Sequence, residues 1–312
     1  MDTYYFICNF QKSTAYISQQ QPKNGNIVGT VKWRNQPIII SLISIDSVTI
    51  KKQKYAPPKD LYAILKSNLQ KQVRRQKNSA ISTANLMWQL QPFELLRRVP
   101  IISIEDSIIC TQLTVVIWLM AAVSKGLVLT NNHKQWLLRL IGKLVSSTAC
   151  NRLNQNNWWK YSEKLTIQDV FNSNHPQKEH IAAILFRCAY GGLYADPPMI
   201  SRALDYSIQN TTAITTLNLI NITIPRLKFN GATVDHHVLP SILGTLHTEF
   251  PQYSQNQLRT VIWECSSKLN KRYKQTPNTS NKKIWHLIKR RFIYHTRNHI
   301  LRVYKRNSAL LL

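Results

Sequence analysis

The chain has 312 residues, 44% of them hydrophobic, and sets 41 Lys+Arg against 14 Asp+Glu for a formal charge of +27. That apolar content excludes a disordered polyelectrolyte. The charge predicts a surface that attracts polyanions, nucleic acid first and anionic membrane second.

The five cysteines (Cys8, Cys110, Cys150, Cys188, Cys265) lie far apart, with no CxxC or Cys-His pair at ligand spacing. This argues against a zinc site and for a reducing, intracellular setting. Met1-Asp-Thr-Tyr-Tyr-Phe has neither a basic start nor a long apolar core, so no secretory signal is expected. The longest apolar run, Leu113 to Val123, is too short to span a bilayer and reads as a buried helix.

Residues 1–56 hold β-branched or aromatic runs at Thr3 to Phe10, Asn26 to Trp33, Pro37 to Ile45 and Ser47 to Lys51. Breaks fall at Pro22-Lys-Asn-Gly-Asn, Arg34-Asn-Gln-Pro37 and Asp46. Short runs between such breaks predict strands and hairpins. The expected unit is a small antiparallel sheet or partial barrel of about three or four strands. It either caps a helical body or forms an OB-like nucleic-acid barrel.

A basic linker, Lys51 to Lys59, contains Pro57-Pro58, and Asp60 suits a helix N-terminus. Leu61, Ile64, Leu65, Leu69 and Val73 then form a helical stripe. Opposite them stand Lys59, Lys66, Lys71, Arg74, Arg75 and Lys77. After Asn78-Ser79 a second helix runs through Met87-Trp88. Pro92 opens a third, as proline does at a first helical position. Pro100 should end that helix after Val99, with a new one starting at Ile101 or later.

Over about residues 66–106 the chain resembles the helical domain that follows the ATPase module in the replication-associated recombination protein A family, the Werner-helicase-interacting ATPases related to clamp loaders. The residues that carry the resemblance are Ala80, Ala84, Pro92, Phe93, Arg97, Arg98 and Glu105-Asp106. The chain departs from the family in lacking any Gly-x-x-x-x-Gly-Lys-Ser/Thr phosphate loop, and in placing Pro100 inside the family's helical spacer. The resemblance therefore implies a helical fold and an association with DNA maintenance, without ATPase activity.

Further on, Ile108 to Val123 reads as a buried helix closed by Gly126, and Lys134 to Val145 as an amphipathic one. Cys150 to Asn157 is a polar loop. A stretch from Ile167 to Phe171 precedes the loop Asn172-Ser-Asn-His-Pro176, and helices are expected at Lys178 to Tyr190 and Met199 to Gln209, with a weaker helical pattern over Thr212 to Ile220. Pro225 to Gly231 reads as a loop, followed by helices at Val238 to Phe250 and Gln255 to Asn270.

From Cys265 to the end there is no acidic residue. A helical stripe of Ile284, Leu287, Ile288 and Phe292 is expected to face the core. The cations around it are Lys268, Lys271, Arg272, Lys274, Lys282, Lys283, Lys289, Arg290, Arg291, Arg297, Arg302, Lys305 and Arg306. Tyr273, Trp285, Tyr294 and Tyr304 interleave with them. Cations along a helix can track phosphates, and aromatic faces can stack on unpaired bases. The expected nucleic-acid contacts are Lys271, Arg272, Lys282, Lys283, Trp285, Lys289, Arg290, Arg291, Arg297 and Arg302, with Arg74, Arg75 and Lys77 as a second set.

Arg97 and Arg98 are expected to form structural ion pairs with Glu105 and Asp106 across adjacent helices. Those acids lack a third carboxylate nearby, and Asp235-His236-His237 with Cys265 or His247 matches no familiar ligand pattern. No Ser-His-Asp or Cys-His dyad can be assigned.

The expected fold is mainly α: a small β-rich unit (1–56), a clamp-loader-like helical domain (57–150) and a second helical region (151–312) ending in a basic helix. The expected function is non-catalytic nucleic-acid binding in replication or genome maintenance, with DNA favoured. No cofactor or resident metal is implied. Replication or packaging proteins would be partners, in a nucleus or viral replication compartment. Two alternatives stand beside it: a metal-dependent enzyme acting on nucleic acid, and a viral structural protein that neutralises packaged nucleic acid.

Overall fold

The computed structural model describes residues 3–43, 49–51, 58–73, 77–147, 165–192, 196–209, 214–225, 238–266 and 276–311. The architecture is mainly α, with a four-stranded sheet at the N-terminal end followed by a helical body. The strands are β1 (Tyr4–Asn9), β2 (Thr14–Ser18), β3 (Asn26–Trp33) and β4 (Gln36–Leu42), in the order β2-β1-β4-β3.

Each hairpin is antiparallel, but β1 and β4 pair in parallel, with Tyr4 opposite Ile38 and Cys8 opposite Leu42. The sheet is therefore mixed and open at β2 and β3, which corrects the expected antiparallel sheet or partial barrel. Two local hairpins can join through either side, and pattern within a strand does not decide which. The β3–β4 turn has two residues, Arg34 and Asn35, both at positive φ, as the twist of a tight hairpin requires.

The helices are α1 (Lys59–Val73), α2 (Lys77–Leu90), α3 (Pro92–Asp106), α4 (Gln112–Ser124), α5 (Asn131–Ser146), α6 (Ile167–Asn172), α7 (Lys178–Leu185) and α8 (Asp196–Gln209). After these come α9 (Leu239–Glu249), α10 (Gln255–Ser266), α11 (Thr279–Arg306) and the short α12 (Ser308–Leu311).

The centre of the molecule is α4. Its residues from Leu113 to Ala122 are buried all round. It packs between the sheet, α3 and α7. Trp118 is fully buried, and its indole N–H donates to the carbonyls of Phe6 (3.1 Å) and Ser41 (3.0 Å), one on each of the parallel strands. One side chain thus satisfies a buried donor and ties the two hairpins to the helical body.

Gly126 closes α4 at φ +99°, with Leu127 N–H on the Ala122 carbonyl and Gly126 N–H on that of Val123. That pair of bonds is a Schellman closure and needs a residue in the left-handed region. The buried side chains of sheet and helices form one connected core, from Tyr4 to Val303.

Three sequence expectations change. Pro100 does not end α3, which runs unbroken to Asp106. A mid-helix proline costs about 3 kcal/mol. Burial of Leu95, Leu96, Val99, Ile101, Ile102 and Ile104 on the same helix outweighs that cost. The expected helix to Tyr190 changes at Phe186 to a 3-10 turn, Phe186–Tyr190, before Gly191 and Gly192 at positive φ. The stretch 214–225 is not helical and joins the body through a bridge between Thr215 and Cys110. The loop at Cys150 to Asn157 lies outside the described residues.

Candidate nucleic-acid interface

Helix α11 is 28 residues long and holds nine Lys or Arg side chains and no acid. Its start is capped by Asn278, whose side chain accepts from Asn281 N–H at 2.7 Å. Ile288, Phe292, Thr296, Ile300 and Val303 are buried. They recur at three- and four-residue steps, the period of one helix face.

That face sits on three neighbours, α10, α9 and α1. Near the start, the Asn281 amide donates to Glu264 of α10 at 2.6 Å. In the middle, Glu249 at the end of α9 receives Arg291 Nε at 2.8 Å and a second guanidinium bond, and lies 2.9 Å from His295 Nε2. Near the end, Asn68 of α1 donates to the Tyr304 hydroxyl at 2.9 Å.

Lys282, Lys283, Lys289, Arg290, Arg297, Arg302, Lys305 and Arg306 are all exposed. Among the described residues, Arg291 and His295 are the α11 side chains placed against a carboxylate, and both use Glu249. The bonds from Arg291 hold the Glu249 carboxyl down to about 2, with His295 adding to the effect. Arg291, expected as a nucleic-acid contact, is thus also part of the α9–α11 junction.

Trp285 is half-buried against Phe292, with ring centroids 6.0 Å apart, and anchors the helix as well as bordering its surface. Tyr304 is held by Asn68. Tyr294 is the outward aromatic, 53% exposed, with the Arg291 guanidinium 5.2 Å from its ring centroid. Leu287, expected in the core stripe, is instead 59% exposed. It lies about 100° round the helix from Ile288, and the buried arc is too narrow to include both.

Lys77 is exposed at the start of α2. That helix packs mainly on α1, α3 and α5, so packing does not bring Lys77 onto α11. Arg74, Arg75, Lys271 and Arg272 lie outside the described residues, as do Asp235, His236 and His237. Among the described residues, no group of three or more His, Cys, Asp or Glu side chains is placed to hold a metal ion. No described helix is long and apolar enough to cross a membrane.

The expected pairing of Arg97 and Arg98 with Glu105 and Asp106 is replaced by other partners. In one unbroken helix, eight residues separate the two pairs by about 12 Å. Arg97 instead pairs with Glu94 at 2.5 Å and donates to the Tyr190 carbonyl at 2.8 Å. Arg98 lies 3.9 Å from Asp196 and donates to the Gln70 side chain. Gln70 passes the connection on, donating to Glu105 at 2.6 Å and to Asp106 at 3.2 Å.

Below them Arg187 is almost fully buried, with Nε on the Arg97 carbonyl (2.9 Å) and Nη1 on that of Gly191 (2.6 Å). Burial, with Arg97 close by, lowers its pKa to about 10. These arginines pin α3 to the 3-10 turn and α8.

No protein-family model, no curated protein and no solved structure matches the chain.

Proposed function

We propose that this chain is a non-catalytic nucleic-acid-binding protein that engages the phosphate backbone through α11. The observation that supports the reading best is the outer surface of α11: nine exposed Lys or Arg side chains, eight of them besides the Glu249-paired Arg291, with no acid on the helix. Phosphate binding of this kind releases counterions, which makes affinity steep in salt and only weakly sensitive to sequence. A role in replication or genome maintenance, with DNA as the ligand, rests on the resemblance over residues 66–106 and is part of the same proposal.

The expected result is a DNA affinity that falls linearly with salt on a log–log plot. Replacing Lys283, Arg290 and Arg297 together by Ala should shallow that slope by about two to three, at roughly 0.7–0.9 for each phosphate no longer neutralised. These side chains are exposed, so the fold should persist. An unchanged slope in the folded variant would remove α11 as the DNA-binding surface. Truncation is a poor substitute, because Ile288, Phe292 and Val303 belong to the core.

A further inference from the structure

The outward line of α11 has a composition that phosphate binding alone does not explain. Lys283, Leu287, Arg290, Tyr294, Arg297, Leu301 and Lys305 follow one another at steps of three or four residues. Such steps place all seven along one side of a helix. Cations and apolar groups alternate in that line. Leu287, Tyr294 and Leu301 recur every seven residues and are 59%, 53% and 55% exposed. Single exposed apolar residues are ordinary. Three in register, each between two cations, form a patterned surface about 33 Å long.

The ligand must therefore offer anionic and apolar faces at close intervals along the side of the helix. A lipid surface suits a helix whose apolar and cationic faces are separate, whereas here they share one line and the continuous apolar face is already buried. A duplex offers phosphates on its ridges and base edges only at the floor of a winding groove. With α10, α9 and α1 covering the inner face of α11 along its length, a helix side about 33 Å long meets such a winding groove over only part of its run. A single strand bends to follow the line and presents base faces between its phosphates. Tyr294 suits a base face, and Arg291 lies within cation–π distance of its ring, held there by Glu249.

We infer that the outward line of α11 is a track for single-stranded nucleic acid. Lys283, Arg290, Arg297 and Lys305 meet phosphates, and Leu287, Tyr294 and Leu301 lie under bases. The inference rests on the nucleic-acid reading above and names its substrate class.

The test uses the full chain, a labelled oligothymidylate and a duplex of the same length in one low-salt buffer. The single strand should bind about tenfold tighter or more. Tyr294→Ala should weaken single-strand binding about tenfold, the scale of one base stacked on an aromatic ring, and leave duplex binding within about twofold. Leu287→Ala with Leu301→Ala should act in the same selective way.

Equal binding of both forms, or an equal loss for both in Tyr294→Ala, would overturn the track while a steep salt slope keeps the phosphate reading intact. Polyglutamate that competes as well as oligothymidylate at matched charge would also overturn it, pointing to an acidic protein helix as occupant. Loss of all salt-dependent binding would remove the phosphate reading itself.

Discussion

His133 completes a capping box at the start of α5. Its Nδ1 accepts from Thr130 N–H at 2.9 Å, and its ring packs on Phe10 with centroids 4.5 Å apart. Burial lowers its pKa from 6.5 to about 4, so the folded chain holds a neutral imidazole where the unfolded chain takes up a proton. Stability is then complete above about pH 6.5 and falls as pH drops towards 4, by on the order of 1–3 kcal/mol. Urea unfolding at pH 7 and pH 4.5 measures this, with His133→Gln as the control because carboxylates titrate in the same window. The variant should lose less stability on acidification than the parent; an equal loss would show that His133 is not the titrating group. At this scale the sequence is legible in identities more than in partners. Arg98 and the Glu105-Asp106 pair do stand on one network, but through Gln70, while Arg97 pairs with Glu94. An amide spaced 28 residues from Arg98 gives no periodic signal of that role.

Among the elements, the sequence predicts α11 as a basic amphipathic helix, and its buried Ile288 and Phe292 follow from the helical period. Its outer line is harder to see, although Leu287, Tyr294 and Leu301 are spaced by sevens in the sequence. Leu287 reads as core by residue type, and only the packed neighbours show which arc is covered. The strand β2 escapes the sequence pattern because Thr14–Ser18 is short and partly polar, while Pro100 hides the length of α3 because local preference opposes the packing that wins. The α9–α11 junction gives a prediction at this scale. Glu249→Gln removes the carboxylate that holds Arg291 and His295. The variant should bind nucleic acid more tightly, with a salt slope steeper by up to about one phosphate's worth. Weaker binding by a folded Glu249→Gln protein would mean that Arg291 serves only when positioned by Glu249.

Over the whole molecule, one core joins sheet and helices, and α4 is its axis. The sequence predicts a mainly helical body with a small sheet, because hydrophobic period and breaker residues are local signals. The parallel β1–β4 pairing and the Trp118 tie between those strands are products of long-range packing, which local pattern does not encode. The body lays α11 against α1, α9 and α10, which leaves its cationic line outward. Photocrosslinking of a bound single strand to the intact chain, followed by peptide mapping, tests that arrangement most directly. Crosslinks should concentrate between Lys283 and Lys305, with Tyr294 prominent. Crosslinks confined to other surfaces, such as the exposed Lys32 and Arg34 of the β3–β4 hairpin, would contradict it.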